Sequence, residues 1–247
     1  VAAPTKKTPL ASTAGDAPGY ALAWKSSLLA FGDDAGTVRA CSLRPSGSLD
    51  VVASWRNSQS CEDVAWSPTE ATVVMAVGAD RAVSVFDTRH SRAAMLRRTE
   101  AHASDVNCLS WNASVSYLVA TGGDDGCLRV WDLRAFGPAA KPVGSFDYHA
   151  PEPIVSVQWD PTDESAVAVA SADHSVTLWD LSVEDTHDDA PPPLAPESSL
   201  PPQLLFVHQG IHDPKEVKHH PQIPGLVLTT AANGLSLFIP ALHADSS

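Results

Sequence analysis

Two histidine–aspartate pairs pose the first chemical question. His102 precedes Asp125 by 23 residues and His149 precedes Asp173 by 24, and a tryptophan, Trp131 or Trp179, follows each aspartate after six. An imidazole held by a carboxylate is the core of many general-base and nucleophile-activating sites. Recurrence at a fixed interval argues against that use. A catalyst needs one such pair, whereas a repeated structural unit needs one per copy, with the carboxylate accepting from an imidazole set against the Trp-bearing strand. Other copies degrade the set: Asn57 replaces the histidine beside Asp80, and Ala35 and Ala232 replace the aspartate. Four further histidines, His208, His212, His219 and His220, have spacings that would suit metal ligands on a helix. Pro214 and the surrounding strand pattern oppose a helix, and no cysteine or carboxylate completes a tetrahedral set, so neither metal nor cofactor is expected. Glycine-rich phosphate loops and nucleophile elbows are absent from the sequence. The chain reads as a non-enzyme.

The elements that would carry these residues repeat as well. Val83-Ser84-Val85-Phe86-Asp87, Leu128-Arg129-Val130-Trp131-Asp132, Val176-Thr177-Leu178-Trp179-Asp180 and Leu235-Ser236-Leu237-Phe238 are short β-type runs closed by an aromatic residue. Cys41, Phe86, Trp131 and Trp179 stand 45, 45 and 48 residues apart, close to the roughly 40–45-residue period of WD repeats. A second series, Trp24, Trp66, Trp111 and Trp159, runs in step, with His219 at the fifth position in a packing role. Alternating apolar and polar residues between these marks predict strands with one buried face. The fold class is all-β, an incomplete WD-repeat β-propeller with about five four-stranded blades. The blades fall at 14–55, 56–98, 99–143, 144–181 and 204–243, with an acidic, proline-rich insertion at 182–203 and a linker at 1–13. The chain starts at Val1 and not at methionine, so the first blades are expected upstream and a leader peptide cannot be read. No apolar run is long enough for a membrane span. Cys41, Cys61, Cys108 and Cys127 are scattered and read as reduced core residues.

Charge is segregated. The formal net charge is −13. From 142 to 214 there is no lysine or arginine, but there are thirteen of the 29 acidic residues, and the other acids balance the 16 basic ones. Such a sector attracts cationic partners and opposes direct nucleic-acid binding, although a merely solubilising face would have the same composition. Glu184, Asp185, Asp188 and Asp189 open the insertion and are the first candidates for partner contact, since loops on rigid scaffolds commonly carry binding groups. Glu62, Asp105 and Glu152, near strand onsets, could form an acidic rim around the channel mouth.

The runs Leu204-Leu205-Phe206-Val207-His208-Gln209-Gly210, Lys215-Glu216-Val217-Lys218, His220-Pro221-Gln222-Ile223-Pro224-Gly225-Leu226, Asp105-Val106-Asn107 and Gly122-Gly123-Asp124-Asp125-Gly126 carry a resemblance. From Ala17 onward the chain resembles the glutamate-rich WD-repeat proteins. That resemblance implies nuclear and nucleolar factors of large-ribosomal-subunit assembly that bind pre-ribosomal particles. It also implies a seven-bladed ring and the chaperoning of one very basic ribosomal protein, the third in the large-subunit series, with histones as further partners. The related histone-binding WD proteins carry an acidic, proline-rich loop at the position matching 184–202 that helps to clamp a histone helix. By that likeness Glu184, Asp185, Asp188 and Asp189 form one wall of a basic-peptide site, and the helix of the other wall lies upstream of Val1. Two alternatives stand beside the ribosome-assembly reading: a histone-binding chromatin factor, and a substrate receptor of a cullin-type ubiquitin ligase. In the latter, Phe86-Asp87-Thr88-Arg89 and Trp131-Asp132-Leu133-Arg134 fit a WDxR pattern whose Arg89 and Arg134 contact the ligase adaptor.

Overall fold

The computed structural model describes residues 17–90, 92–184 and 200–240. Nineteen strands form five antiparallel sheets, each a meander in chain order. The first sheet is β1 (Ala21–Lys25), β2 (Leu28–Gly32), β3 (Thr37–Leu43) and β4 (Leu49–Arg56). The second is β5 (Cys61–Trp66), β6 (Val73–Gly78), β7 (Val83–Asp87) and β8 (Leu96–Arg98). The third is β9 (Val106–Trp111), β10 (Leu118–Gly123), β11 (Leu128–Asp132) and β12 (Gly144–Phe146). The fourth is β13 (Ile154–Trp159), β14 (Ala166–Ser171), β15 (Ser175–Asp180) and β16 (Leu204–His208). The fifth has three strands among the described residues, β17 (Pro214–His219), β18 (Val227–Ala231) and β19 (Gly234–Phe238). No helix among the described residues is long and apolar enough to cross a membrane.

Two strands at the starts of the spans 144–181 and 204–243 pair with the sheet that precedes them in the chain. Gly144–Phe146 pairs with β11 and completes the third sheet. Leu204–His208 pairs with β15, Val176 opposite His208, and completes the fourth. The insertion therefore interrupts a sheet between its third and fourth strands and does not separate two blades.

Local sequence explains the hairpins. The turn between second and third strands places one residue in the left-handed region in each of the first four sheets: Gly36 (φ 79°), Arg81 (φ 58°), Gly126 (φ 69°) and His174 (φ 69°). At Gly126 a Cβ would come within 2.6 Å of Ala150 Cα, so close approach of the neighbouring sheet, as well as φ, requires glycine there.

Successive sheets pack face to face through four apolar layers. Trp55 stacks on Phe86 at 4.8 Å between the first and second sheets. Trp131 meets Phe136 edge-on between the second and third. Trp159 and Trp179 fill the third layer with Phe146 against Trp179. The fourth layer, around Ile211, Val217, Phe206 and Phe238, has no tryptophan. Such layers are the main stabilising term, and a buried Trp→Ala change typically costs about 3–5 kcal/mol. The first strands also meet in order, β1 on β5, β5 on β9, β9 on β13 and β13 on β17, and all five line one central cavity of about 440 Å³. At the two ends of this series apolar side chains stand open. Leu22 and Trp24 on β1 are 67% and 56% exposed, and Leu235 and Leu237 on β19 are each 60% exposed. Trp24 thus keeps the periodic position of Trp66 and Trp159 without their burial, because no described sheet precedes β1.

Candidate functional site

The histidine–aspartate pairs are closed hydrogen-bond networks. His102 Nδ1 lies 2.9 Å from Asp125 Oδ1 and its Nε2 lies 2.8 Å from Thr121 Oγ1, while Trp131 Nε1 donates to the same hydroxyl at 2.9 Å. In the next sheet His149 Nδ1 is 2.6 Å from Asp173, its Nε2 is 2.8 Å from Thr177 Oγ1, and Trp179 Nε1 donates to Thr177 at 2.8 Å. Burial pushes His102 below the ordinary histidine range, against the pull of Asp125. The neutral ring then donates from Nδ1 to the carboxylate and accepts the threonine O–H at Nε2, so every polar atom is satisfied. Burial opposes the charge on Asp125, but the His102 bond, the Ala103 N–H and Arg129 outweigh it and hold the carboxyl well below the usual range. With both ring nitrogens engaged, neither imidazole is presented to a substrate.

The two threonines were not visible as a pattern. Thr121 lies on β10 opposite Arg129, whereas Thr177 lies on β15 opposite Val169. The hydroxyl has crossed the directly opposed pair and reaches the same pocket from the other strand. In the second sheet, Arg97 bridges Asn57 Oδ1 at 3.2 Å and Asp80 Oδ2 at 2.7 Å in place of a histidine. With Phe86 at the tryptophan position, the fully buried Ser84 hydroxyl has no partner. In the first sheet the carboxylate comes from Asp33, two residues before Ala35; it accepts from Thr37 N at 2.7 Å and Arg39 at 2.9 Å.

Arg89 and Arg134 chelate the aspartates of their own strands. Arg89 reaches the buried Asp87 through Nε at 3.0 Å and Nη2 at 2.5 Å, and Arg134 reaches Asp132 in the same way, with its guanidinium over the Tyr117 ring at 3.7 Å. Both guanidinium groups remain about two-thirds exposed, at 66% and 64%.

Around the central cavity, side chains staple each first strand to the next. Lys25 Nζ donates to Ser67 O at 2.5 Å, and Trp66 Nε1 donates to Ala23 O at 3.2 Å. Asp63 accepts from Leu109 N at 2.9 Å, Ser110 from Trp159 N at 3.0 Å, Ser156 from Val217 N at 3.2 Å and Gln158 from His219 N at 2.6 Å. Burial pushes the Asp63 carboxyl up to about 6, partly opposed by its two backbone bonds and Lys218. His219 is buried as the packing role requires, with Nδ1 3.2 Å from Asp160.

The expected acidic rim does not form from equivalent positions. Glu62 is the bulge residue of β5, Asp105 immediately precedes β9, and Glu152 lies two residues before β13. The bulge positions of β9, β13 and β17 carry Asn107, Val155 and Lys215 instead. Glu62 is also engaged locally, accepting from Ser60 Oγ at 2.6 Å.

Of the thirteen acids between 142 and 214, nine are described: Asp147 follows β12 of the third sheet, Asp213 precedes β17 of the fifth, and the other seven lie on the fourth sheet or in its loops. Several are used internally. Asp160 and Asp180 cap Thr162 and Ser182, Asp173 holds His149, and Asp213 pairs with Lys215. Asp147, Glu152, Asp163, Glu164 and Glu184 are exposed, and among the described residues none forms an ion pair with lysine or arginine. Asp185, Asp188 and Asp189 lie outside the described residues. No group of three or more His, Cys, Asp or Glu among the described residues could hold a metal ion.

Meander sheets stapled around one cavity, with the same Thr–His–Asp–Trp network in adjacent blades, define a WD-repeat propeller protein. The WD domain, G-beta repeat family matches residues 94–132 and 140–180. The chain is 37% identical to Ribosome assembly protein rrb1 of Schizosaccharomyces pombe over 89% of its own length and 47% of that protein. It is 40% identical to Glutamate-rich WD repeat-containing protein 1 of Dictyostelium discoideum (96% and 50% covered) and 35% identical to Protein HEAT STRESS TOLERANT DWD 1 of Arabidopsis thaliana (90% and 49% covered). The chain belongs to the WD-repeat family, among the glutamate-rich WD-repeat proteins. It spans about half the length of these curated relatives.

Proposed function

We propose that this chain is a non-catalytic scaffold of large-ribosomal-subunit assembly that shields a very basic ribosomal protein, in the nucleus and nucleolus, until RNA takes it over. The observation carrying this reading is a set of five exposed acids in loops of the fourth sheet and of its junction with the third, Asp147, Glu152, Asp163, Glu164 and Glu184, none in an ion pair with lysine or arginine among the described residues. A ribosomal protein built to neutralise phosphates binds RNA non-specifically, and a rigid anionic surface competes for those cations. Each exposed pair contributes only about 0–1 kcal/mol, so affinity must come from several pairs plus apolar anchoring and must fall with salt. A nucleic acid carries the wrong charge for this surface.

The test is calorimetric titration of the chain with the third protein of the large-subunit series at low and high salt. Asp147→Lys, Glu152→Lys and Asp163→Lys together should weaken binding at least about tenfold and flatten its salt dependence. Undiminished binding by that triple variant would refute the reading. Selective capture of histones would replace it with the chromatin alternative.

A further inference from the structure

Between the third and fourth sheets runs a groove of about 540 Å³, within the roughly 300–1,000 Å³ typical of ligand sites. Its walls are apolar: Tyr117, Val143 and Phe146 on one side, Leu181 and Val183 on the other. Val143 is 64% exposed and Tyr117 36%, so the apolar lining is open to solvent. Glu164 and Glu184 complete the lining, both are exposed, and no lysine or arginine contributes. Arg134 lies over the Tyr117 ring and is chelated by Asp132.

One buried polar atom points to a ligand independently of this lining. Trp159 lines the groove, is 4% exposed, and its Nε1 has no hydrogen-bond partner among the described residues. The matching tryptophans are satisfied: Trp66 donates to Ala23 O and Trp111 to Ser116 O at 2.6 Å. Buried indole N–H groups ordinarily find an acceptor. A groove with an apolar floor, carboxylates and an unspent donor suits an extended peptide. Such a peptide inserts an aliphatic or aromatic side chain, offers a backbone carbonyl and carries flanking cations.

We propose that this groove is the anchoring subsite for a partner segment in which an apolar side chain is flanked by lysine or arginine. The proposal rests on the reading of the fourth sheet as a basic-client surface and supplies the apolar anchor that surface needs. The stretch 185–199 of this chain is disfavoured as the occupant by charge, since it holds four acids and no lysine or arginine and would face Glu164 and Glu184.

The probe is a labelled hexapeptide, Lys-Arg-Leu-Phe-Lys-Arg, titrated into the chain and followed by fluorescence anisotropy. The Trp159 indole N–H resonance, assigned with Trp159→Phe, is read in parallel. The peptide should bind and shift that resonance downfield. Replacing Leu-Phe by Ala-Ala, introducing Val143→Arg, or reversing Glu164 and Glu184 to Lys should each weaken it at least about tenfold, with circular dichroism unchanged for the exposed variants. Equal binding of the Leu-Phe and Ala-Ala peptides would overturn the proposal, as would an unmoved Trp159 resonance. Binding that appears only after residues 186–198 are replaced by a Gly-Ser linker would show that the chain's own segment is the occupant. If Val143→Arg leaves the ribosomal protein's affinity unchanged while the triple reversal of Asp147, Glu152 and Asp163 abolishes it, the groove inference fails and the acidic-surface reading stands.

Discussion

The migrating hydroxyl gives the sharpest structural prediction. Thr177 accepts from Trp179 Nε1 and meets His149 Nε2, both within residues 2% exposed or less. Thr177→Val keeps the side-chain shape, opens no cavity and orphans two buried polar atoms. At roughly 1–3 kcal/mol for each unsatisfied group, the substitution should destabilise the chain by about 2–6 kcal/mol, a large share of the roughly 5–15 kcal/mol typical of a domain. Val169 stands directly opposite Thr177, at the register that Thr121 occupies in the third sheet. Opposed side chains in antiparallel strands share one face, with Cβ atoms about 5 Å apart. Val169→Thr should therefore hand the hydroxyl back, and the double variant Thr177→Val/Val169→Thr should recover to within about 1 kcal/mol of wild type. The coupling between the two changes is then at least about 1–5 kcal/mol, reaching or passing the upper end of the roughly 0.5–3 kcal/mol that contacting residues show. Urea denaturation of the four proteins, followed by tryptophan fluorescence, measures the cycle. Additive effects, with Val169→Thr merely a second lesion, would refute the argument that the pocket, and not the strand of origin, defines the network.

Two further outcomes follow from the same bonding logic. Ser84 is fully buried with no partner for its hydroxyl, so Ser84→Ala should be neutral or stabilise by about 1 kcal/mol, whereas Thr121→Ala should destabilise; thermal melts of both decide it. Asp63 is pushed up to about 6 by burial. A carboxyl raised above its unfolded value binds its proton more tightly in the folded state, so its contribution is retained at low pH and lost as pH rises from about 4 to about 6. Asp63→Asn should gain on wild type by about 3 kcal/mol across that window and change no further above it; a pH series of denaturation midpoints showing a constant difference would contradict this.

What the sequence makes legible follows from how each contact repeats. The aromatic strand ends and the His–Asp pairs recur because every blade needs a strand of that length and a turn at that place, so architecture and network both show as period. Thr121 and Thr177 escape because they fill one role from two registers, leaving no common offset. Asp33 escapes for a similar reason, two residues from the position where an aspartate is sought. Leu204–His208 is read into the last repeat because the preceding insertion resembles a boundary, although pairing with β15 decides its sheet. Composition shows the acidic sector but cannot separate Asp160 and Asp173, which serve the fold, from Glu164 and Glu184, which face solvent. The staples between first strands are invisible for the same reason: serine, glutamine and aspartate there look like ordinary polar alternation.

The fourth sheet holds its outer hairpin by pairing on both sides of the long connection, with β15 ending at Asp180 and β16 beginning at Leu204. Chain added between two strands already zipped together raises the closure penalty only logarithmically, by roughly 0.6 kcal/mol for each doubling of its length. The stretch leaving Asp180 is thus a nearly free variable for this architecture. Lineages can lengthen, shorten or recharge it while Trp159 and Trp179 keep their places.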